Sequence, residues 1–488
     1  MRASKILYRE FWGQAKRAEV LASLERDHSA FDGSYVQLFP SIANRFSLRS
    51  SGGGIDYLSW PILPSLAATP PHNGPVERRG LALIDMKRDP LIERLMVYFS
   101  DASDQMVAAL HPGLVMIGNG INGPRDRAIL KQRVQFEPNR ITPYPWKPFD
   151  IRFCYLDDIA PLFSRPNVPL QKLTSLPGQS FFVTRDDADT PDEGPPTSIV
   201  KHICDYDFLR GHARLFPTVV PAQRVGTNTG GEAQFSLKYE VSDEVAPNLS
   251  SSAQIWLASL SLPVTPETSR LVWHHALAIT YSPAYLAENA AGIQQGWPRI
   301  PLPGDADLLR ASAALGERLA ALLDPEANVP GLGQGLLASI AIPSTAPAAT
   351  RDWRLNSWGS RTDKGVTMPG RGKTDLRPYA ATEAAAQEQA ALLGAQTRDV
   401  WMNGASFWKN IPDAVWETHI GGYQVLKKWL SYRDHSIIAR PLSQEEVAHI
   451  QATARRLAAI LLMGPDLDAN YRASAEAHVP LPSQPTGQ

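Results

Sequence analysis

At 488 residues, with 43% hydrophobic and 20% charged side chains, the chain has an ordinary globular composition, and it is too long for one compact core. A formal net charge of −1 excludes a protein that holds nucleic acid simply by being basic throughout, although local basic faces remain open to it. Two cysteines, Cys154 and Cys204, cannot build a disulfide framework, and no CxxC pair offers metal spacing, so the expected setting is a reducing cytoplasm with no bound metal.

The opening MRASKILYREFWGQ lacks the apolar run of a signal peptide, and nowhere do about 18 consecutive apolar residues suggest a membrane span. Ser4 to Leu24 has helical spacing at Phe11, Ala15, Ala18 and Leu21 or Ala22, interrupted early by Gly13. Strands and turns follow. Gly80 to Asp89 reads as a buried strand, and Asp89 to Phe99 as a short amphipathic helix capped by Asp89 with Pro90 at its first position.

NRITPYPWKPFDIRFCY, Asn139 to Tyr155, carries too many prolines for helix and reads as an extended turn entering the strand DIRFCY. The acidic TRDDADTPDEGPP, Thr184 to Pro196, reads as a surface loop. Ser269 to Ala290 is a helix stopped near Ser282-Pro283 and then resumed, and Asp305 to Leu323 is a further helix. Pro325 to Thr350 is rich in Pro, Gly and Ala and marks a boundary. Beyond it, Arg351 to Arg377 carries seven Lys or Arg against three Asp and reads as a mobile positive loop. Two helices dominate the rest: GGYQVLKKWLSYR, and LSQEEVAHIQATARRLAAILLM, which opens with Ser443 and Glu446 as a capping box. The final HVPLPSQPTGQ is expected to fray.

Several constellations invite chemistry and are answered more simply. The glycine clusters Gly52 to Asp56 and Gly118 to Gly123 lack the strand, helix and acidic partner of a nucleotide-binding turn, and no GxxxxGK[ST] occurs, so both read as tight turns. Asp85-Met86-Lys87 has the shape of half a nuclease site, with Asp56 as a conceivable second carboxylate; a charged strand end before a helix explains it equally. His274 and His275 are adjacent on a helix and point about 100° apart, which suits hydrogen-bonded histidines at the core edge better than a shared metal. His202 and Cys204 have no third member to make a nucleophilic site.

Within VWETHIGGYQVLKKWLSYR, a helix starting near Gly422 would bury Val425, Leu426, Trp429 and Leu430 as one stripe. Lys427, Lys428 and Arg433 would then be exposed near a glycine-marked helix start whose free N–H groups suit a phosphate. A solvated basic face is the plain alternative.

The ordered motifs VWETHIGGYQVLKKWLSYRDH and RPLSQEEVAHIQATARRLAAILLMGPDLDANY resemble the C-terminal specificity region of type ISP restriction-modification enzymes. Upstream, SKILYREFWGQAKRAEVLASL is similar to the segment leaving that family's methyltransferase domain. RITPYPWKPFDIRFCYLDD is similar to its Tyr-x-Pro-Phe-Asp-x-Arg region, and WHHALAITYSPAYLAENAAGIQQGWPRIPLPGDADLL to its SPxY and PRIP segment. In such enzymes one polypeptide joins nuclease, motor, N6-adenine methyltransferase and target recognition domain. Here no NPPY or DPPY tetrapeptide, no glycine-rich S-adenosylmethionine motif and no Walker A loop is found, and the chain begins almost where the family's methyltransferase would end.

The resemblance therefore implies a DNA-recognition subunit with no catalytic residues and no cofactor of its own. It would act on double-stranded DNA beside a separate N6-adenine methyltransferase chain that binds S-adenosylmethionine and docks on the N-terminal helix. Candidate DNA contacts are Lys427, Lys428 and Arg433, followed by Arg361, Lys364, Arg371 and Lys373 in the basic loop, while Tyr423 and Gln424 suit either core or DNA. The alternatives are a metal-dependent nuclease using Asp85 and Lys87, and a scaffold of a phage-defence complex that does not touch DNA. The expected fold is α+β: a mixed-sheet target recognition core over residues 1–324, a Pro/Gly-rich and basic linker over 325–394, a helical C-terminal specificity unit over 395–472, and a disordered tail over 473–488.

Overall fold

The computed structural model describes residues 6–9, 11, 15–24, 35–38, 56–156, 161–188, 193–222, 244–345, 374–403 and 405–482. Its strands form several small sheets interleaved with helices, an α+β arrangement in which every pairing between described strands is antiparallel. No helix among these residues is long and apolar enough to cross a membrane.

Near the N-terminus the helical expectation holds only for Lys16–Leu24, whereas Ile6–Tyr8 is a strand paired with Val36–Leu38. The β-branched and aromatic residues of ILY suit a paired strand better than a helix. In the expected Gly80 to Asp89 strand only Ile84–Asp85 pairs, and the helix Arg88–Phe99 takes Lys87 as its N-cap, leaving Asp89 in the first turn.

The proline-rich segment before DIRFCY is itself a strand. Ile141–Lys147 pairs with Asp150–Tyr155, which pairs in turn with Ile84–Asp85, so the proline-bearing strand lies at the sheet edge. Proline lacks the N–H needed by a central strand, and Pro143 and Pro145 are tolerated because one side of their strand pairs with no other strand. A second sheet orders Ser198–Val200, Phe181–Thr184, Arg214–Pro217 and His72–Asn73. The acidic loop leaving Thr184 is not wholly a surface feature: Arg185 and Glu193, near its two ends, are buried and ion-paired.

The helices Pro266–Thr280 and Ala306–Leu323 cross at close range. Gly316 permits it, since a Cβ there would lie 1.9 Å from the His274 carbonyl oxygen. His275 is fully buried at this crossing. Its Nε2 lies 2.8 Å from the Pro301 carbonyl, which can only accept, so Nε2 carries the proton and Nδ1 receives the Ser312 hydroxyl at 2.7 Å.

The stretch expected to link two units supplies strands to a third sheet. Ile342–Thr345 pairs with Ser406–Pro412, and Thr374–Arg377 pairs with Thr397–Trp401 at the other edge. Arg377, the last cation of the basic stretch, bonds both Glu383 and Asp399 and is thereby neutralised. Against this sheet packs the helix Gln444–Leu462, opened by the Ser443 and Glu446 capping box and followed by Gly464–Glu476.

Burial holds the His275 pKa down to about 4, against 6.5 for the free side chain. The unfolded chain therefore binds more protons than the folded one between those values, so stability is full above pH 6.5 and is lost as pH falls toward 4. The contribution of this one group is on the order of 3 kcal/mol. Urea midpoints of the wild type should decline through that window, and His275→Gln should flatten the decline; an identical slope in both proteins would show that His275 does not carry it.

Candidate nucleic-acid interface

The glycine pair of the C-terminal signature is a hairpin turn rather than a helix start. His419–Ile420 pairs with Tyr423–Gln424, and Gly421 and Gly422 join them with φ of 53° and 84°. The helix itself runs from Val425 to Ser431. The turn is pressed against a neighbouring segment, where a Cβ on Gly421 would lie 2.3 Å from Leu209 Cδ2 and one on Gly422 2.7 Å from Arg210 Cβ. Both glycine N–H groups are already used, Gly421 donating to the Pro195 carbonyl at 2.9 Å and Gly422 to Glu193 at 2.8 Å. They are not free to hold a phosphate, contrary to the expectation from sequence.

The apolar stripe lies where its spacing places it: Val425, Leu426, Trp429 and Leu430 are buried. Arg433 departs from the expectation read from the sequence. It was expected on the surface and is only 5% exposed, with its guanidinium 3.5 Å above the Trp429 ring and Nη2 donating to Asp150 Oδ1 at 2.9 Å. Asp150 also accepts from Arg152 Nη2 at 3.1 Å. Burial pushes the Asp150 carboxyl up, but the two guanidiniums outweigh it and hold the group below its ordinary value. On the far side of Arg433, Glu446 lies 3.5 Å away and is shared with Arg440. His449 stacks on Trp429 at 5.1 Å and donates from Nε2 to the Phe149 carbonyl at 2.8 Å. The hairpin turn at Phe149-Asp150 is thus tied to both C-terminal helices.

Lys428 occupies a different environment. Its ammonium lies 5.1 Å from the Tyr423 ring centroid and 4.8 Å from that of Tyr432. Tyr423 is anchored by its hydroxyl, which donates to the Asp207 carbonyl at 3.1 Å. Tyr432 is braced by Arg152 at 4.7 Å and by Trp146 at 6.3 Å. Lys147 completes the group, 4.2 Å from the Trp146 ring and salt-bridged to Asp205 at 3.0 Å.

Burial lowers the Lys428 pKa and the nearby Arg210 lowers it further, and Lys428 has no ion-pair partner among the described residues. A half-buried ammonium beside a second cation, held between ring faces, is stabilised by an incoming anion. Lys427 is exposed on the same helix. Gln424 is committed to the Trp416 carbonyl at 2.8 Å. Arg361, Lys364, Arg371 and Lys373 lie outside the described residues.

Sequence reasoning passed over Trp146, Lys147, Arg152, Arg210 and Tyr432. A partial signal existed in Asp150 and Arg152, which alternate along one strand and so share a face.

The other constellations are structural. Asp85 is salt-bridged to Arg94 at 3.0 Å and accepts the Lys87 backbone N–H, which occupies both its oxygens. No group of three His, Cys, Asp or Glu suited to a metal exists among the described residues. Burial pushes the Cys204 thiol well above its ordinary range, away from nucleophilic use. Asn119 and Gly120 form a hairpin turn between Ile117–Gly118 and Ile121–Asn122.

The Type ISP C-terminal specificity domain family matches residues 93–457, a span that includes both ends of the Asp150 to Arg433 link. Three solved structures are similar. A nuclease-deletion mutant of the Type ISP restriction-modification enzyme LlaGI, in complex with a DNA substrate mimic, matches over 93% of this chain and 31% of its own, at 12% identity and a TM-score of 0.50. The ATP-dependent Type ISP enzyme LlaBIII bound to DNA matches over 90% and 26%, at 11% and 0.52. DrdV in complex with DNA matches over 89% and 40%, at 15% and 0.53. At such identities the common property is the fold, and the chain spans only 26% to 40% of the length of these structures. A search of curated proteins finds no match.

Removing the Asp150 carboxylate would leave the buried Arg152 guanidinium without its counter-charge and Arg433 with only the 3.5 Å contact to Glu446. Asp150→Ala should cost about 3–5 kcal/mol by urea unfolding. Arg433→Met, which leaves Asp150 paired with Arg152, should cost clearly less. Equal and small losses would show that this network does not join the strands to the C-terminal helices.

Proposed function

Because the chain belongs to the Type ISP C-terminal specificity domain family, we propose that it selects the DNA sequence on which a restriction-modification enzyme acts. Membership over 93–457 is the observation that carries this reading. The LlaGI, LlaBIII and DrdV structures are DNA complexes, which supports duplex DNA as the ligand of this chain as well.

In this reading, cations on the Val425–Ser431 helix set the register of the protein on the backbone, and side chains elsewhere read base edges. Lys428 is the best placed of the nominated residues, because an arriving phosphate would relieve the penalty that burial and Arg210 impose on its charge. Lys427 lies exposed beside it. Arg361, Lys364, Arg371 and Lys373 stay in the proposal as further backbone contacts. Arg433 acts instead by fixing the helix through Asp150.

The methylation chemistry belongs, in the same proposal, to a separate N6-adenine methyltransferase chain carrying S-adenosylmethionine. These 488 residues contain no NPPY or DPPY tetrapeptide to hold a target adenine. Purification from native cells at low salt should bring down such a methyltransferase; recovery of the chain without one would remove this part of the proposal and leave the DNA reading standing.

Binding to duplex DNA should weaken steeply with salt and, together with the methyltransferase, should favour one site over random duplex by roughly 10³ or more. Replacing Lys427 and Lys428 together with Ala should weaken binding by a similar factor on every sequence and reduce the salt slope by about two. An unchanged slope would place both lysines away from the backbone, and salt-independent behaviour of the wild type would sink the DNA reading itself.

A further inference from the structure

The loop of residues 205–213 borders the Lys428 cluster and is fixed to it at two points. The Asp207 carbonyl receives the Tyr423 hydroxyl at 3.1 Å, and the Arg210 N–H donates to the Gly421 carbonyl at 2.8 Å. Within the loop, the Asp205 carboxylate accepts the Asp207 N–H at 3.0 Å and the Tyr206 carbonyl accepts the Ala213 N–H at 2.7 Å. Phe208 and Leu209 are buried beneath it. A loop held so closely presents its exposed side chains in one geometry.

His212 is the strained residue of this loop. Its φ is 80°, in the region that favours glycine, and its side chain is exposed. Glycine would meet the same backbone demand without steric cost, so the turn alone does not account for a histidine there. The ring is nevertheless locked. It stacks on Tyr206 with 4.2 Å between centroids and 19° between planes, and its Nδ1 lies 3.1 Å from Asp207 Oδ1. A carboxylate oxygen only accepts, so Nδ1 carries the proton and Nε2 of the neutral ring is an acceptor. Neither Nε2 nor the second Asp207 oxygen has a partner among the described residues.

These groups do not suit a phosphate. The exposed Asp207 carboxylate would repel it, and on the other side of the turn the Asp187 carbonyl oxygen lies 3.5 Å from where a Cβ on Gly211 would sit. Two neighbouring acceptors call for a donor. In the major groove that donor is the exocyclic amino group of cytosine (N4) or adenine (N6), whereas guanine O6 and N7 and thymine O4 would meet them acceptor to acceptor. We propose that His212, oriented by Asp207 and Tyr206, selects a base bearing an amino group at one position of the DNA target. This rests on the reading of the chain as a DNA-selecting domain, and it assigns base reading to the loop that adjoins the Lys428 helix.

Duplexes selected from a random pool by the full chain, with its methyltransferase where one co-purifies, give the base preference at each position. His212→Gly relieves the backbone, so its urea midpoint should equal or exceed that of the wild type. Its preference for cytosine or adenine at one position should nevertheless fall by about 5- to 100-fold, what one mismatched pair costs, with the other positions and the salt slope unchanged. Removing the amino group there, with pyrimidinone in place of cytosine or purine in place of adenine, should weaken the wild type by a similar factor and leave His212→Gly unaffected. His212→Asn, whose side chain also tolerates the left-handed region, repeats the test should glycine loosen the loop. Preferences unchanged at every position in both variants, or weakened equally at all of them, would overturn the role of His212 and leave the DNA reading standing. A wild type with no preferred site would overturn both.

Discussion

One buried carboxylate joins the two ends of the recognition region. Asp150 sits in a tight strand turn and takes hydrogen bonds from Arg152 on its own strand and from Arg433, which is 283 residues further along the chain. The charge is affordable in the interior only because both guanidiniums face it and both are packed on aromatic rings, Arg152 on Trp146 and Tyr432, Arg433 on Trp429. From that point the position of the Val425–Ser431 helix follows, and with it the position of Lys428. The electrostatics of the surface thus depend on an ion pair that never reaches solvent.

Local pattern made some of this readable in advance. The apolar stripe Val425, Leu426, Trp429 and Leu430 follows helical spacing and is buried, and the Ser443 and Glu446 capping box opens its helix as written. Asn119 and Gly120 form the expected tight turn, although the cluster ends at Gly123 in a helix, Gly123–Arg133, that the sequence reading does not place there. These readings rest on contacts within a few residues, where period and propensity dominate.

Other readings failed where a distant partner decides the outcome. Nothing near Arg433 reveals that Asp150 waits for it, so a terminal arginine on a lysine-rich helix was read as exposed. Gly421 and Gly422 carry no local mark that separates a helix start from a hairpin; the choice follows from Leu209 and Arg210, which pack where a Cβ would be. The prolines of Ile141–Lys147 exclude helix and read as an extended turn; that the segment is a strand follows from its place at the sheet edge, where no further strand needs its missing N–H groups. For the candidate interface, Lys428 was legible as a cation, but its cage was not, because Tyr423 and Tyr432 meet it only once the hairpin and helix are folded together.

The same edge strand bears on how this protein keeps to itself. Pro143 and Pro145 offer no amide donor on this border, and the Pro145 carbonyl already accepts the Asp205 N–H at 2.9 Å. A sheet that ends in this way offers no continuous ladder for a second copy or an extended peptide, so partners must approach it through side chains. The turn that anchors the Val425–Ser431 helix is therefore bordered by a strand edge whose own covalent structure disfavours β-mediated self-association.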